Sequence, residues 1–276
     1  MNALDTPRPA IHIVIGTPCY GAVVAQNYFM SMLALGGALA PFGIALSLDL
    51  TTHSFLALAR NMIVANFLES DASHLLFIDS DVGFDPADVL RMIAANVGVC
   101  AGVYPVKEID WERVGNAARG GVPNDTLQFH ASRLALNVQP NERGQQLPIS
   151  DAGIIEMRDC TTGFMLIRRD VITRLVEAFP ETRYTSMPKN GGRVEHALFD
   201  SFIDPETNYF LTEDYAFCRR CQQIGIPTHA FPFARLSHQG VHTWQGDMAK
   251  SHMTAVPKPA PPVVASPPAP GTWVAA

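Results

Sequence analysis

The chain has 276 residues, 20 basic against 26 acidic side chains, a formal net charge of −6 and 47% hydrophobic residues. That length allows one large α/β domain or two small ones around a substantial core. The acidic balance, with no Lys/Arg-rich run, excludes bulk nucleic-acid binding but remains compatible with a single nucleotide.

Residues 1–10 read as an N-terminal extension, and residues 11–15 as a compact apolar strand ending in the turn Gly16-Thr17-Pro18-Cys19-Tyr20. Residues 22–39 read as an apolar helix with Gly36-Gly37 near its end, and residues 44–50 as a second strand. Pro9 to Leu48 holds no Asp, Glu, Lys or Arg. Glycines and Pro41 interrupt that run and no positive flank anchors it, so a buried strand, helix and strand are expected rather than a transmembrane segment. Residues 54–70 are amphipathic, with Phe55, Leu58, Met62, Ala65 and Phe67 turned to a core. A strand follows at 75–78, a helix at 86–96 behind the cap Asp85-Pro86, and a fourth strand at 97–103.

Strands alternating with helices predict an α/β domain with a mostly parallel sheet, in which ligands collect at the carboxyl ends of the strands. Residues 107–150 are polar and rich in Gly, Asn and Gln, and predict long loops with a short strand or two. Regular structure resumes at 153–157, 160–167, a helix at 170–178 and another at 214–224 that Gly225 closes. The Pro-rich stretch 256–276 reads as an extended or disordered tail, and residues 11–255 as one domain. Five scattered cysteines, and a start at Met1-Asn2-Ala3-Leu4-Asp5 without a secretory signal, predict a reducing, cytoplasmic setting. Cys218 and Cys221 have CxxC spacing on a predicted helix, and two half-buried thiols explain them better than a zinc or redox site.

Asp79-Ser80-Asp81 closes the run His74-Leu75-Leu76-Phe77-Ile78. If the strand continues, residues i and i+2 project the same way, and two carboxylates there can hold Mg²⁺ or Mn²⁺ with positions open for phosphate. A chance acidic turn is the competing reading. Thr212-Glu213-Asp214-Tyr215 opens a helix with two carboxylates, either as an ordinary acidic first turn or as a base or sugar-hydroxyl partner. His238, in Ser237-His238-Gln239-Gly240, is a candidate metal ligand with His242 as competitor. Arg60-Asn61 lies on an apolar helix, where Arg60 is either a snorkelling surface residue or a diphosphate contact.

In that order, Gly16-Thr17-Pro18, Ala59-Arg60-Asn61, Phe77-Ile78-Asp79-Ser80-Asp81, Thr162 to Arg169, Glu213-Asp214-Tyr215 and His238-Gln239-Gly240 resemble a GT-A fold glycosyltransferase. The likeness is to small bacterial and viral members distantly similar to the mannan-polymerase type. It implies a single Rossmann-like domain that moves a sugar from a nucleoside-diphosphate donor to an acceptor, with Mn²⁺ or Mg²⁺. Asp79, Asp81 and His238 would serve the metal, with Asp79 turned more to the donor's ribose or sugar. Thr17, Pro18, Tyr20, Arg60, Asn61, Ser80 and Gly163 would surround the donor nucleotide. Glu213 or Asp214 would face the acceptor or the anomeric carbon. Residues 107–150 would be the acceptor side. The acceptor (glycan, lipid-linked sugar, protein or small molecule), inversion or retention, homo-oligomer formation and attachment to the inner membrane face stay open. A nucleotidyltransferase of similar topology and a non-catalytic sugar-nucleotide-binding protein are the alternatives.

Overall fold

The computed structural model describes residues 11–135, 148–188 and 192–242. The expected extension 1–10, the tail 256–276 and the middle of the 107–150 stretch lie outside the described residues. In chain order the first half is β1 (His12–Pro18), α1 (Gln26–Leu39), β2 (Ala45–Thr51), α2 (Leu56–Glu69), β3 (His74–Ile78), β4 (Val82–Phe84), α3 (Pro86–Ala95), β5 (Val99–Gly102) and α4 (Trp111–Arg119). It continues through β6 (Ile155–Met157), β7 (Phe164–Arg168), α5 (Arg169–Ala178), β8 (Arg183–Thr185) and β9 (Val194–His196). The last elements are β10 (Phe202–Ile203), β11 (Phe210–Leu211), α6 (Glu213–Gln223), β12 (Thr228–Phe231) and β13 (Leu236–His238). All lie in one compact unit, Met1–Gly240, followed by a second, Val241–Ala276.

Seven strands form the main sheet in the order β2-β1-β3-β7-β5-β12-β6. β2, β1, β3, β5 and β12 run one way, while β7 and β6 run against them. This is the α/β class expected, mostly parallel and flanked by helices, and it is consistent with the GT-A arrangement. The reversed β7 inserts between β3 and β5, a position that the alternation of strands and helices could not indicate. Ile13, Ile15, Leu76 and Phe164 pack on one face of the sheet; Val14, Phe67, Phe77, Phe199 and Phe217 pack on the other. Each fully buried Phe contributes about 1.5–3 kcal/mol of transfer free energy. Both faces of β1 and β3 are covered, which is why these strands read as unbroken apolar runs.

Several local expectations need correction. α1 starts at Gln26 rather than 22, because Gly21 (φ 68°) and Ala22 (φ 55°) stand in the left-handed region. α1 and β2 are not buried throughout. Phe29, Met30 and Leu33 on α1, with Leu48 and Leu50 on the edge strand β2, are about half exposed. Charge-free composition marks an apolar segment but not how many of its faces are covered. Phe55 is 61% exposed and sits just before α2, whose buried residues instead run almost all round. Within 107–150 the described residues form the helix α4, capped by Asp110 Oδ1 accepting from Arg113 N at 3.0 Å, and make no strand. α4 buries none of its residues. Cys218 and Cys221 are fully buried rather than half-buried, and burial pushes both thiols well above their ordinary range. Among the described residues no helix is long and apolar enough to cross a membrane.

Candidate active site

The carboxyl ends of β1, β2, β3 and β5 open onto one edge of the sheet. Residues 79–81 are a turn rather than a strand end, closed by Val82 N donating to Asp79 O at 3.0 Å. The i, i+2 alternation therefore does not apply, and the two carboxylates find different partners. A cavity of about 300 Å³ lies here, and it gathers the expected residues Pro18, Tyr20, Asp79, Ser80, Asp81 and His238. His53, Ser54, Leu56 and Lys107 complete its lining and were not anticipated. A larger cavity of about 930 Å³ involves Phe84, Phe129, Leu134 and Leu236. Its one carboxylate, Asp85, is tied to Arg235, so the smaller cavity is where the chemistry converges.

His238 reaches Asp81 because β13 pairs antiparallel with β4, with His238 opposite Val82. Asn27 stitches this ribbon, its Nδ2 donating to Asp81 O at 3.0 Å and to Ser237 Oγ at 3.1 Å. Gly83 lies within β4. A Cβ on it would stand 2.5 Å from Ser237 Oγ and 2.9 Å from Asn27 Cβ. His238 Nδ1 donates to Pro105 O at 2.9 Å, which turns Nε2 to Asp81 Oδ1 at 3.2 Å. With Nδ1 committed to Pro105 O, Nε2 is the nitrogen left to meet Asp81, through a shared proton or through a cation between the two atoms. Lys107 Nζ meets the other oxygen, Oδ2. Burial pulls the Asp81 pKa upward, but hydrogen bonds from His238 and Lys107 overcome it and hold the carboxyl below its ordinary value.

Arg60 is 2% exposed, so it is not a snorkelling surface residue. Its Nη2 donates to Asp79 Oδ1 at 3.1 Å, and its Nε lies 4.0 Å from Glu213 Oε1. Nε and Nη1 make no hydrogen bond. An unmet buried donor costs about 1–3 kcal/mol, and Arg60 does not itself line the cavity but reaches it through Asp79. Glu213 opens α6, and its pKa is raised by burial first and then by Asp214 and Asp79, with Arg60 opposing. Asp214 accepts from Thr212 Oγ1 at 2.6 Å and from Tyr215 N at 2.9 Å through one oxygen.

Tyr104, also unanticipated, links the two halves. Its ring meets that of His238 edge-on at 5.2 Å, and burial pushes its hydroxyl up to about 12. Gly163 packs under this ring rather than lining the cavity. A Cβ there would stand 2.6 Å from the Tyr104 hydroxyl oxygen and 2.7 Å from two ring atoms. Gly163→Ala is expected to lower stability by about 1–3 kcal/mol, measured by thermal unfolding, because a ring braced on His238 has little room to yield.

Of the expected residues, Thr17, Arg60, Asn61, Gly163, Glu213 and Asp214 do not line the cavity. Thr17 is fully buried, its hydroxyl shared with Tyr28 at 2.8 Å. Asn61 donates to Asp200 Oδ1 at 3.1 Å and accepts from Phe199 N at 3.0 Å, which spends it on fixing that segment.

Asp81 and His238 fit a divalent cation, with one hard oxygen and one imidazole nitrogen. Cis ligands of an octahedral ion with bonds of about 2.0–2.1 Å stand about 3 Å apart, close to the spacing found. Asp79, expected as a further ligand, is turned to Arg60 instead. No group of three or more His, Cys, Asp or Glu able to hold a metal occurs among the described residues. Non-protein oxygens would have to complete the shell.

No family model matches the sequence, and no curated protein matches it. Among solved structures it is similar to the A197 protein from STIV, at 16% identity and a TM-score of 0.44 over 84% of this chain and 86% of that one. It is also similar to a glycosyltransferase involved in glycosylating the major capsid of PBCV-1. There the identity is 13% and the TM-score 0.31, over 62% of this chain and 67% of that one. Values this low speak to neither activity nor ligand.

Proposed function

We propose that the protein is a glycosyltransferase that takes its sugar from a nucleoside-diphosphate donor with a divalent cation held by Asp81 and His238. The observation that carries this is one small cavity where a candidate cation site, Asp81 with His238, stands beside the Lys107 ammonium. A diphosphate with its cation presents the complementary charges. When bound, the cation would neutralise charge developing on the leaving diphosphate.

The remaining roles fall to the chain's own groups. Arg60 fixes Asp79, which faces the cavity as an acceptor for donor hydroxyls. Tyr20, exposed at the rim, offers a stacking surface for a base. Glu213 is better suited than Asp214 to take a proton from an acceptor hydroxyl, because burial raises its proton affinity while Asp214 is engaged in its own helix turn.

Glu213→Gln is expected to lower kcat by about 10²–10⁴-fold while donor binding is retained. It is also expected to stabilise the protein at neutral pH. The folded state binds this proton more tightly than the unfolded chain, so wild-type stability falls as pH rises from the unfolded value of 4.5 through the raised folded value. The glutamine variant escapes that loss, which unfolding midpoints across pH will show.

The function is tested by a thermal-shift panel of UDP-, GDP-, CMP- and dTDP-sugars with and without Mn²⁺. One nucleotide class should raise Tm by about 5–10 °C at a hundred times its Kd, only with metal. Stabilisation by none of them removes the proposal.

A further inference from the structure

We infer that Lys107 makes cation binding depend on the diphosphate, by occupying Asp81 whenever the cavity holds neither. The inference rests on the cation-and-diphosphate reading above. Both oxygens of the Asp81 carboxylate are engaged, Oδ1 facing His238 Nε2 and Oδ2 bonded to the Lys107 ammonium. A positive charge therefore already sits where a cation must come.

The lysine is placed there by an anchored segment. Pro105 O accepts from His238 Nδ1 at 2.9 Å, Val106 N donates to Arg133 O at 2.9 Å, and Ala135 N donates to Tyr104 O at 2.8 Å. Its stem runs over Gly240, where a Cβ would stand 2.8 Å from Lys107 Cδ. The side chain itself is 40% exposed, so its head can swing on a four-carbon stem without uncovering the core.

A lysine head and a divalent ion on one carboxylate repel strongly at separations of about 4 Å. The ion alone must displace Lys107 into water, where the ammonium gains no counter-charge. A diphosphate changes this, because its oxygens accept the displaced ammonium and free Asp81 for the ion. Metal and nucleotide then strengthen each other's binding, and such coupling is reciprocal.

The test is Mn²⁺ titration followed by electron paramagnetic resonance, on wild type, Lys107→Met and Lys107→Arg, each with and without UDP or GDP. Lys107→Met is expected to bind Mn²⁺ alone about tenfold more tightly than wild type and to lose most of the tightening that nucleotide brings. Lys107→Arg should behave as wild type. If Lys107→Met binds Mn²⁺ alone no more tightly than wild type, the inference is overturned, and nucleotide-tightened Mn²⁺ binding in wild type leaves the proposed function standing. If Mn²⁺ binds neither protein, with or without nucleotide, both are overturned.

Discussion

Asp81→Ala is expected to lower sugar transfer by about 10²–10³-fold or more and to abolish the metal-dependent nucleotide shift. Asp81 is the one carboxylate that faces His238 Nε2, and without it the cation keeps a single protein ligand. Asp81→Asn separates charge from shape, since it preserves the turn and should fail almost as completely. The substitution also changes the acid limb of stability. A carboxyl held below its ordinary value contributes stability that is present above the unfolded value of 3.8 and is lost as pH falls through the folded value. The alanine variant should therefore be less stable than wild type at neutral pH and lose less on acidification. Steady-state kinetics and unfolding midpoints across pH check both parts. Full turnover by Asp81→Ala would place the cation elsewhere.

Arg60→Ala is expected to have the largest effect on folding. The guanidinium is buried between Asp79 and Glu213, and its removal leaves two carboxylates without their counter-charge. Breaking a buried pair from one side costs about 3–5 kcal/mol, a fall in Tm of about 10 °C or more for a domain of this size. Arg60→Lys should recover little, because one ammonium cannot reach both partners with the fork that Arg60 presents. Glu213 loses the positive charge that lowers its pKa, so residual activity should need a higher pH. Thermal unfolding and the pH profile of kcat/KM measure these effects. A stable Arg60→Ala protein with an unchanged profile would show that Arg60 neither holds the carboxylates nor tunes them.

Local signals in the sequence reach the first half of the fold and part of the site. β1, β3 and α3 announce themselves because both faces of the strands are covered and Asp85-Pro86 caps the helix. The acidic turn after β3 stands out because a carboxylate pair after an apolar strand has few structural uses. Lys107, Tyr104 and Asn27 carry no comparable signal. Each reaches the site through tertiary placement: Lys107 over Gly240, Tyr104 on Gly163, and Asn27 across the β4–β13 ribbon. His238 is a candidate for its Gly neighbour, yet only the pairing of β13 with β4 brings it to Asp81. Asn61 misled for the opposite reason, since a polar residue beside Arg60 on an apolar helix serves a buried chain segment as well as a ligand. The apolar run through α1 and β2 gave composition without orientation, so half-exposed faces read as buried.

The most direct measurement is anomalous diffraction from crystals grown with Mn²⁺ and the nucleoside diphosphate that the thermal-shift panel selects. The predicted result is a manganese peak bonded to Asp81 and His238 Nε2, with diphosphate oxygens completing its shell and Lys107 turned away from Asp81. Nucleotide bound in the cavity without manganese on Asp81, or manganese held elsewhere, would contradict it.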